Sequence, residues 1–254
     1  MIYIGCCGFS VSIKKYFQTF RLVEIQRTFY QLPQMQTVTS WRNQAPEGFQ
    51  FTLKAWQGIT HLASSPTYRK ARINLPEESK KNLGHFQFTP EVQNTWEKSL
   101  KIALELKAPI IVLQCPPSFK ETPENWQNLQ KFFSWAPRKN VSIAIEFRSE
   151  WQAETIYSLC KEFDLIHCVD PFKQNAVYGT VRYYRLHGSP PGEKLYRYKY
   201  QPNDFAFLAN KIREDLSSNR KVYCLFNNLS MWEDALAFRE FLTKLEWTHD
   251  VIVQ

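Results

Sequence analysis

Glu146 and Arg148 stand in the stretch VSIAIEFRSEW, residues 141–151, where a buried strand would be expected to continue with apolar side chains. Side chains alternate along a strand, so Ala144, Glu146 and Arg148 share one face while Ile143, Ile145 and Phe147 share the other. The pattern recurs: Glu24 and Gln26, Lys54, Gln114, Asp170, Arg185 and His187, and Asn227 and Asn228 all fall at the C-terminal ends of apolar, strand-like runs. Glu24, Glu146, His187 and Asp170 are the catalytic candidates. A carboxyl in an aromatic-lined mouth can have its pKa raised, and imidazole titrates near neutrality, which suits general acid or base work. Lys54, Arg148 and Arg185 can hold anionic oxygen, and Gln114, Asn227 and Asn228 can orient neutral polar groups. Three carboxylates and three strong cations at one mouth would nearly balance, whereas any one left alone and dehydrated would be costly. The competing expectation is structural: ion pairs such as Glu146 with Arg185 that close the top of the fold.

Eight strand-length, β-rich runs position these residues: IYIGCC from Ile2, LVEIQ from Leu22, FQFTLKA from Phe49, IIVLQC from Ile110, SIAIEFR from Ser142, LIHCVD from Leu165, VRYYRLHG from Val181 and KVYCLFNN from Lys221. Helix-like segments separate several of them, clearest in EVQNTWEKSLKIALELK, TPENWQNLQKFFSWA, ETIYSLCKEF and PNDFAFLANKIREDL. Thr122 can cap the second of these, with Pro123 in its first position and Glu124 in its first turn. Strands alternating with helices predict an α/β fold of parallel strands, and eight strands in this length predict a TIM-like (β/α)8 barrel, with a doubly wound open sheet as the alternative. In such a barrel the C-terminal strand ends share the face that carries active sites. The link DPFKQNAVYGT, residues 170–180, is too short for a full crossover, so one helix is expected to be reduced or missing. No linker or repeat divides the chain, so residues 1–254 read as a single domain, with 64–90 a long irregular insertion or lid.

The 254 residues are 44% hydrophobic, enough for a sizeable core, and no apolar run approaches the roughly 18 residues that span a bilayer. No membrane association is expected. The start, MIYIGCCGF, reads directly as a strand rather than as a signal peptide, and six Cys are too few for a disulfide scaffold, so a cytoplasmic location with reduced thiols is expected. The Cys6-Cys7 pair lacks C-x-x-C spacing and reads as structural. Net charge is +8, from 32 Lys+Arg against 24 Asp+Glu, which favours an anionic partner or a solvated basic surface.

His61, His85 and His187 are scattered and no spaced Cys/His cluster occurs, so no metal site is expected. Eight Gly in the whole chain leave no dinucleotide or Walker fingerprint, and no cofactor is expected. The stretch RYYRLHGSPPGEKLYRYKY, Arg182 to Tyr200, interleaves Lys and Arg with Tyr after the seventh strand, where barrels often bind phosphate. Its Tyr residues could equally pack on a helix. Nothing in the sequence points to a protein partner.

The motifs VEIQRTFYQLP, FQFTLKAWQGITH, LQCPPSF, IEFRSEW, HCVDPF, YYRLHG and LFNN, in this order, resemble the domain of unknown function 72 (YecE-like) family over nearly the whole chain. The SPTYRK segment and DPF element are most similar to a branch associated with archaea. The resemblance implies a TIM-like barrel with its motif residues at one end, and it adds Thr28, Phe29, Tyr30 and His61 to the residues already named, Tyr30 and His61 as binding residues. Where many members read T-S-G-W this chain has Cys6, Cys7, Gly8 and Phe9, and Gln26 replaces a common Asn. The family implies no reaction.

The reading that follows is an enzyme, a hydrolase or lyase, that acts by metal-independent acid/base chemistry on an anionic, phosphate-containing substrate, a class that includes nucleic-acid-derived compounds. Two alternatives remain. A glycosidase-like hydrolase would use Glu24 and Glu146, which would have to lie about 5 to 9.5 Å apart. A non-catalytic nucleic-acid-binding protein would show salt-sensitive binding without turnover.

Overall fold

The computed structural model describes residues 1–71, 75–188, 195–218, 220–249 and 251–254. Residues 72–74 of the expected lid and 189–194 of the Arg182–Tyr200 stretch lie outside them. In chain order the elements are β1 (Ile2–Cys6), α1 (Ile13–Thr19), β2 (Leu22–Ile25), α2 (Arg27–Tyr30), α3 (Met35–Gln44), β3 (Gln50–Lys54), α4 (Pro66–Ala71), α5 (Glu77–Lys80), α6 (Pro90–Leu106) and β4 (Ile110–Gln114). Then come α7 (Pro123–Trp135), β5 (Ser142–Glu146), α8 (Ala153–Glu162), β6 (Leu165–Val169), β7 (Val181–Leu186), α9 (Pro202–Leu216), β8 (Lys221–Phe226) and α10 (Met231–Thr243). The eight strands form a closed parallel barrel in sequence order. No helix among the described residues is long and apolar enough to cross a membrane.

The helices begin where their caps dictate. Thr89 and Thr122 accept from the backbone N–H of Val92 and Asn125, at 3.3 and 3.2 Å, each followed by a proline that gives up no needed donor. In α6 the residues Val92, Trp96, Leu100 and Ala103 recur on one buried stripe, which is the amphipathic face that drives this helix onto the strands.

The chain divides into two compact units, residues 1–24, 45–50 and 166–254, and residues 25–44 and 51–165. In the first, β8 pairs with β1 and β7, and the rings of Tyr3, Tyr223 and Tyr183 stack across these three strands, at 5.1 and 5.9 Å between centroids. No helix joins β6 to β7. The turn that replaces it is tied back by the His167 N–H donating to the Tyr178 carbonyl and by the Val177 N–H donating to His167 Nδ1. That satisfies backbone groups a crossover helix would have satisfied internally. In the second unit β4 pairs with β3 and β5, and Trp96, Phe86, Phe119 and Phe132 form a buried aromatic cluster.

Candidate functional site

In the second unit the ends of three adjacent strands carry a continuous polar row. Lys54, the last residue of β3, donates from Nζ to Gln114 Oε1 at 2.8 Å, and Gln114 ends β4. Gln114 is the register partner of Glu146 across β4 and β5. Glu146 Oε1 in turn lies 2.9 Å from Arg148 Nε. The two charges that interrupt VSIAIEFRSEW therefore face each other, as their shared strand face requires. Lys54 and Glu146 are buried, while Gln114 and Arg148 are half-buried and give the row its contact with solvent.

Beneath Lys54 the ammonium lies 3.5 Å from the centroid of Phe29, whose negative ring face partly replaces lost hydration. Thr28 binds this corner together, its hydroxyl lying within hydrogen-bonding reach of the Ile25 carbonyl at 2.7 Å and the Lys54 carbonyl at 2.6 Å. Tyr30 contributes its backbone carbonyl to Trp56 Nε1 at 3.1 Å, and its ring stands edge-on to Phe29. His61 packs edge-on to the same Phe29 ring at 4.9 Å, with Nδ1 2.7 Å from the Thr60 hydroxyl. Burial, and next the nearby Lys54 and His85, pull its pKa down to about 3, so His61 is neutral at physiological pH.

In the first unit the candidates are more enclosed. Glu24 on β2 and Arg185 on β7 belong to strands that are not neighbours, so their contact crosses the interior. Arg185 donates from Nε and Nη2 to the two oxygens of Glu24, at 3.1 and 3.0 Å, and Tyr183 adds a hydroxyl donor at 2.9 Å. Neither charge has appreciable exposed surface. Asp170 accepts from the His187 backbone N–H at 3.1 Å and lies 3.4 Å from its Nδ1, and both side chains are buried. Asn228 donates to the Tyr198 carbonyl and to Asp234, at 2.7 and 2.6 Å, while its own Oδ1 is buried without a partner. Asn227 is half-exposed. The outward face of β7 follows the opposite parity: Arg182 pairs with Asp215 of α9 at 2.8 Å, and the Tyr184 hydroxyl donates to the same carboxylate.

The chain matches the family described as "Protein of unknown function DUF72" over residues 7–253. This chain belongs to the DUF72 family. It is 26% identical over 288 residues to the UPF0759 protein YunF of Bacillus subtilis, covering 97% of this chain and 95% of that protein. Among solved structures it is similar to a DUF72 family protein from Enterococcus faecalis, with a TM-score of 0.72, 23% identity and coverage of 96% and 98% of the two chains. Endonuclease IV from Thermus thermophilus superposes with a TM-score of 0.56 at 12% identity, covering 96% of this chain and all of that one, a likeness of fold alone.

Motif residues of this DUF72 chain thus form local clusters: Lys54, Gln114, Glu146 and Arg148 in one row, Phe29 and His61 beneath Lys54, Glu24 with Arg185, and Asp170 with His187. Three further residues were not among the site candidates read from the sequence. Asp234 is buried under Asn228 and the Tyr200 N–H, and desolvation raises its pKa. His85 holds a left-handed backbone, φ 49°, with its ring on Phe119 and Nε2 3.5 Å from the Ser118 hydroxyl. Gln57 is completely buried, and neither its Oε1 nor its Nε2 has a partner. In the sequence Gln57 lies inside the motif FQFTLKAWQGITH, three positions beyond Lys54, but nothing in its residue type or spacing singles it out there, and its burial does.

Proposed function

We propose that this DUF72 barrel is an enzyme that binds an anionic, phosphate-containing substrate and processes it by acid/base chemistry on the row formed by Lys54, Gln114, Glu146 and Arg148. The observation that carries this reading is the row itself: two cations flank a carboxylate and an amide on three adjoining strand ends, and two of its four members reach solvent. Lys54 and Arg148 supply the positive charge for anionic oxygen. Gln114 orients a neutral oxygen or nitrogen, and Glu146, held 2.9 Å from the Arg148 guanidinium, is the general base or acid. No metal is required in this scheme, because the two cations neutralise the charge a metal would otherwise meet.

Glu24 and Arg185 take a structural role in this reading, since both oxygens of the carboxylate are engaged and water does not reach them. That weighs against a two-carboxylate glycosidase built on Glu24. His187 and Asp170 hold the end of β7 to that of β6. The chain acts as one barrel domain. A cytoplasmic location is supported by six buried cysteines that form no disulfide.

The test is calorimetric titration of the wild type and Lys54→Met with inorganic phosphate and pyrophosphate. The variant should bind at least about tenfold more weakly, a loss of about 1.4 kcal/mol. Equal affinity would remove the row as the anion site. A panel of phosphomonoesters and phosphodiesters then separates enzyme from binder: Glu146→Gln should keep binding and lose turnover, whereas binding without turnover by the wild type would favour a non-catalytic nucleic-acid partner.

A further inference from the structure

Gln57 opens the turn that follows β3, and its backbone is fully committed. Its N–H donates to the Phe29 carbonyl at 3.0 Å, and its carbonyl accepts from the N–H groups of Thr60 and His61 at 3.1 and 2.8 Å. The side chain is the reverse: completely buried, with both amide atoms unsatisfied. Buried amides in folded proteins are almost always paired, so such a group marks either a cost borne for function or a partner that arrives later. Leu, Ile or Met would fill the same space without that cost.

The turn is also held by an unusual support. Gly84, His85 and Phe86 are three consecutive left-handed residues, with φ of 87°, 49° and 54°, and their N–H groups donate to the carbonyls of Gly58, Thr60 and Ile59, at 2.8, 3.3 and 2.9 Å. Two non-glycine residues in this region store strain that the surrounding contacts must hold. The approach at Gly84 is so close that a Cβ there would lie 2.4 Å from the His61 carbonyl carbon. An unsatisfied amide and a strained clasp thus meet on one turn, beside Phe29 and His61, the same residues that lie under Lys54.

We propose that Gln57 is the specificity residue of the Lys54 site, and that it receives the hydroxyl groups of a polyhydroxylated phosphate when the turn of residues 57–61 moves away from residues 84–86. This rests on the anion-binding reading of Lys54 and names the substrate class for it. A carboxamide with both atoms unsatisfied needs a partner that donates and accepts together. A hydroxyl pair does this in the least volume, and so requires the smallest displacement of the turn that encloses the amide. A nucleobase edge offers the same pairing but demands far more room.

The experiment uses the whole chain and the near-isosteric variant Gln57→Met. Without any ligand, Gln57→Met should melt at the same temperature as the wild type or higher. A clear fall would mean that the amide is structurally satisfied, and would overturn the proposal. Titration with methyl phosphate, glycerol 1-phosphate, glucose 6-phosphate, xylitol and AMP then tests the ligand. The wild type should bind the two polyol phosphates at least tenfold more tightly than methyl phosphate, and Gln57→Met should bind all three alike. A preference that survives in Gln57→Met, or no preference in the wild type, defeats the assignment of Gln57 while leaving Lys54 intact. Xylitol binding that Gln57→Met abolishes, with no phosphate ester bound more tightly, supports Gln57 and defeats Lys54. Tighter binding of AMP than of either polyol phosphate overturns the ligand class.

Discussion

Replacing Arg185 by Ala strands Glu24 in the interior. The carboxylate has no exposed surface and loses two charge-assisted donors, keeping the Tyr183 hydroxyl. Removing one partner of a buried ion pair costs about 3–5 kcal/mol, because the remaining charge stays desolvated. In a chain of this length each kcal/mol lowers the melting temperature by about 2–4 °C, so a fall of roughly 6–20 °C is expected. Removing the whole group should hurt far less. In Glu24→Leu/Arg185→Met with Tyr183→Phe, no polar atom of the triad is left behind, and apolar replacements of buried ion pairs are often neutral or stabilising. Urea unfolding of the wild type, the Arg185→Ala variant and the triple variant measures this directly. The reasoning fails if Arg185→Ala costs under about 1 kcal/mol, or if the triple variant is as unstable as the single one. If Arg185→Ala instead keeps its stability and loses phosphate affinity, Arg185 is an anion ligand after all.

Three further outcomes follow from local features. His61 has a folded pKa of about 3 against an ordinary value of 6.5, so the unfolded chain binds the extra proton first as pH falls. Stability present above pH 6.5 should therefore be lost progressively towards pH 3, by about 2 kcal/mol at pH 5; urea midpoints for wild type and His61→Asn should converge in their pH slope only if this is wrong. Gly84→Ala places a Cβ against the His61 backbone at a left-handed φ and should cost about 2 kcal/mol or more, measured by thermal unfolding, with an unchanged midpoint contradicting the tight clasp. All six cysteines are buried, and burial pushes the Cys6 thiol up to about 12, so a thiol reagent should react slowly with the native protein and with six equivalents after unfolding; rapid native reaction at Cys6 would count against the structural role of the Cys6-Cys7 pair.

Much of the architecture was legible because it depends on local repetition. Ile110–Gln114 and Ser142–Glu146 announce themselves by runs of branched residues, and α7 by Thr122, Pro123 and Glu124 at its start. The absent helix between β6 and β7 was legible from length alone, since residues 170–180 cannot hold a crossover. The pairing of charges was less so. Glu146 and Arg148 could be matched by strand parity, being two residues apart, but Glu24 and Arg185 are separated by 161 positions and meet only because barrel closure through β1 and β8 turns both side chains into the interior.

The sequence by itself determined where strands end in polar residues, which faces those residues share and which helices carry buried stripes, because alternation and helical periodicity are properties of consecutive residues. Tertiary structure alone decided what each polar group meets. Lys54 over Phe29, His61 neutral in the same corner, Glu24 saturated by Arg185, and Gln57 sealed with no partner all depend on contacts and dehydration that bring together residues from separate elements. Burial sets the cost of a charge or an amide, and burial is a property of the folded chain.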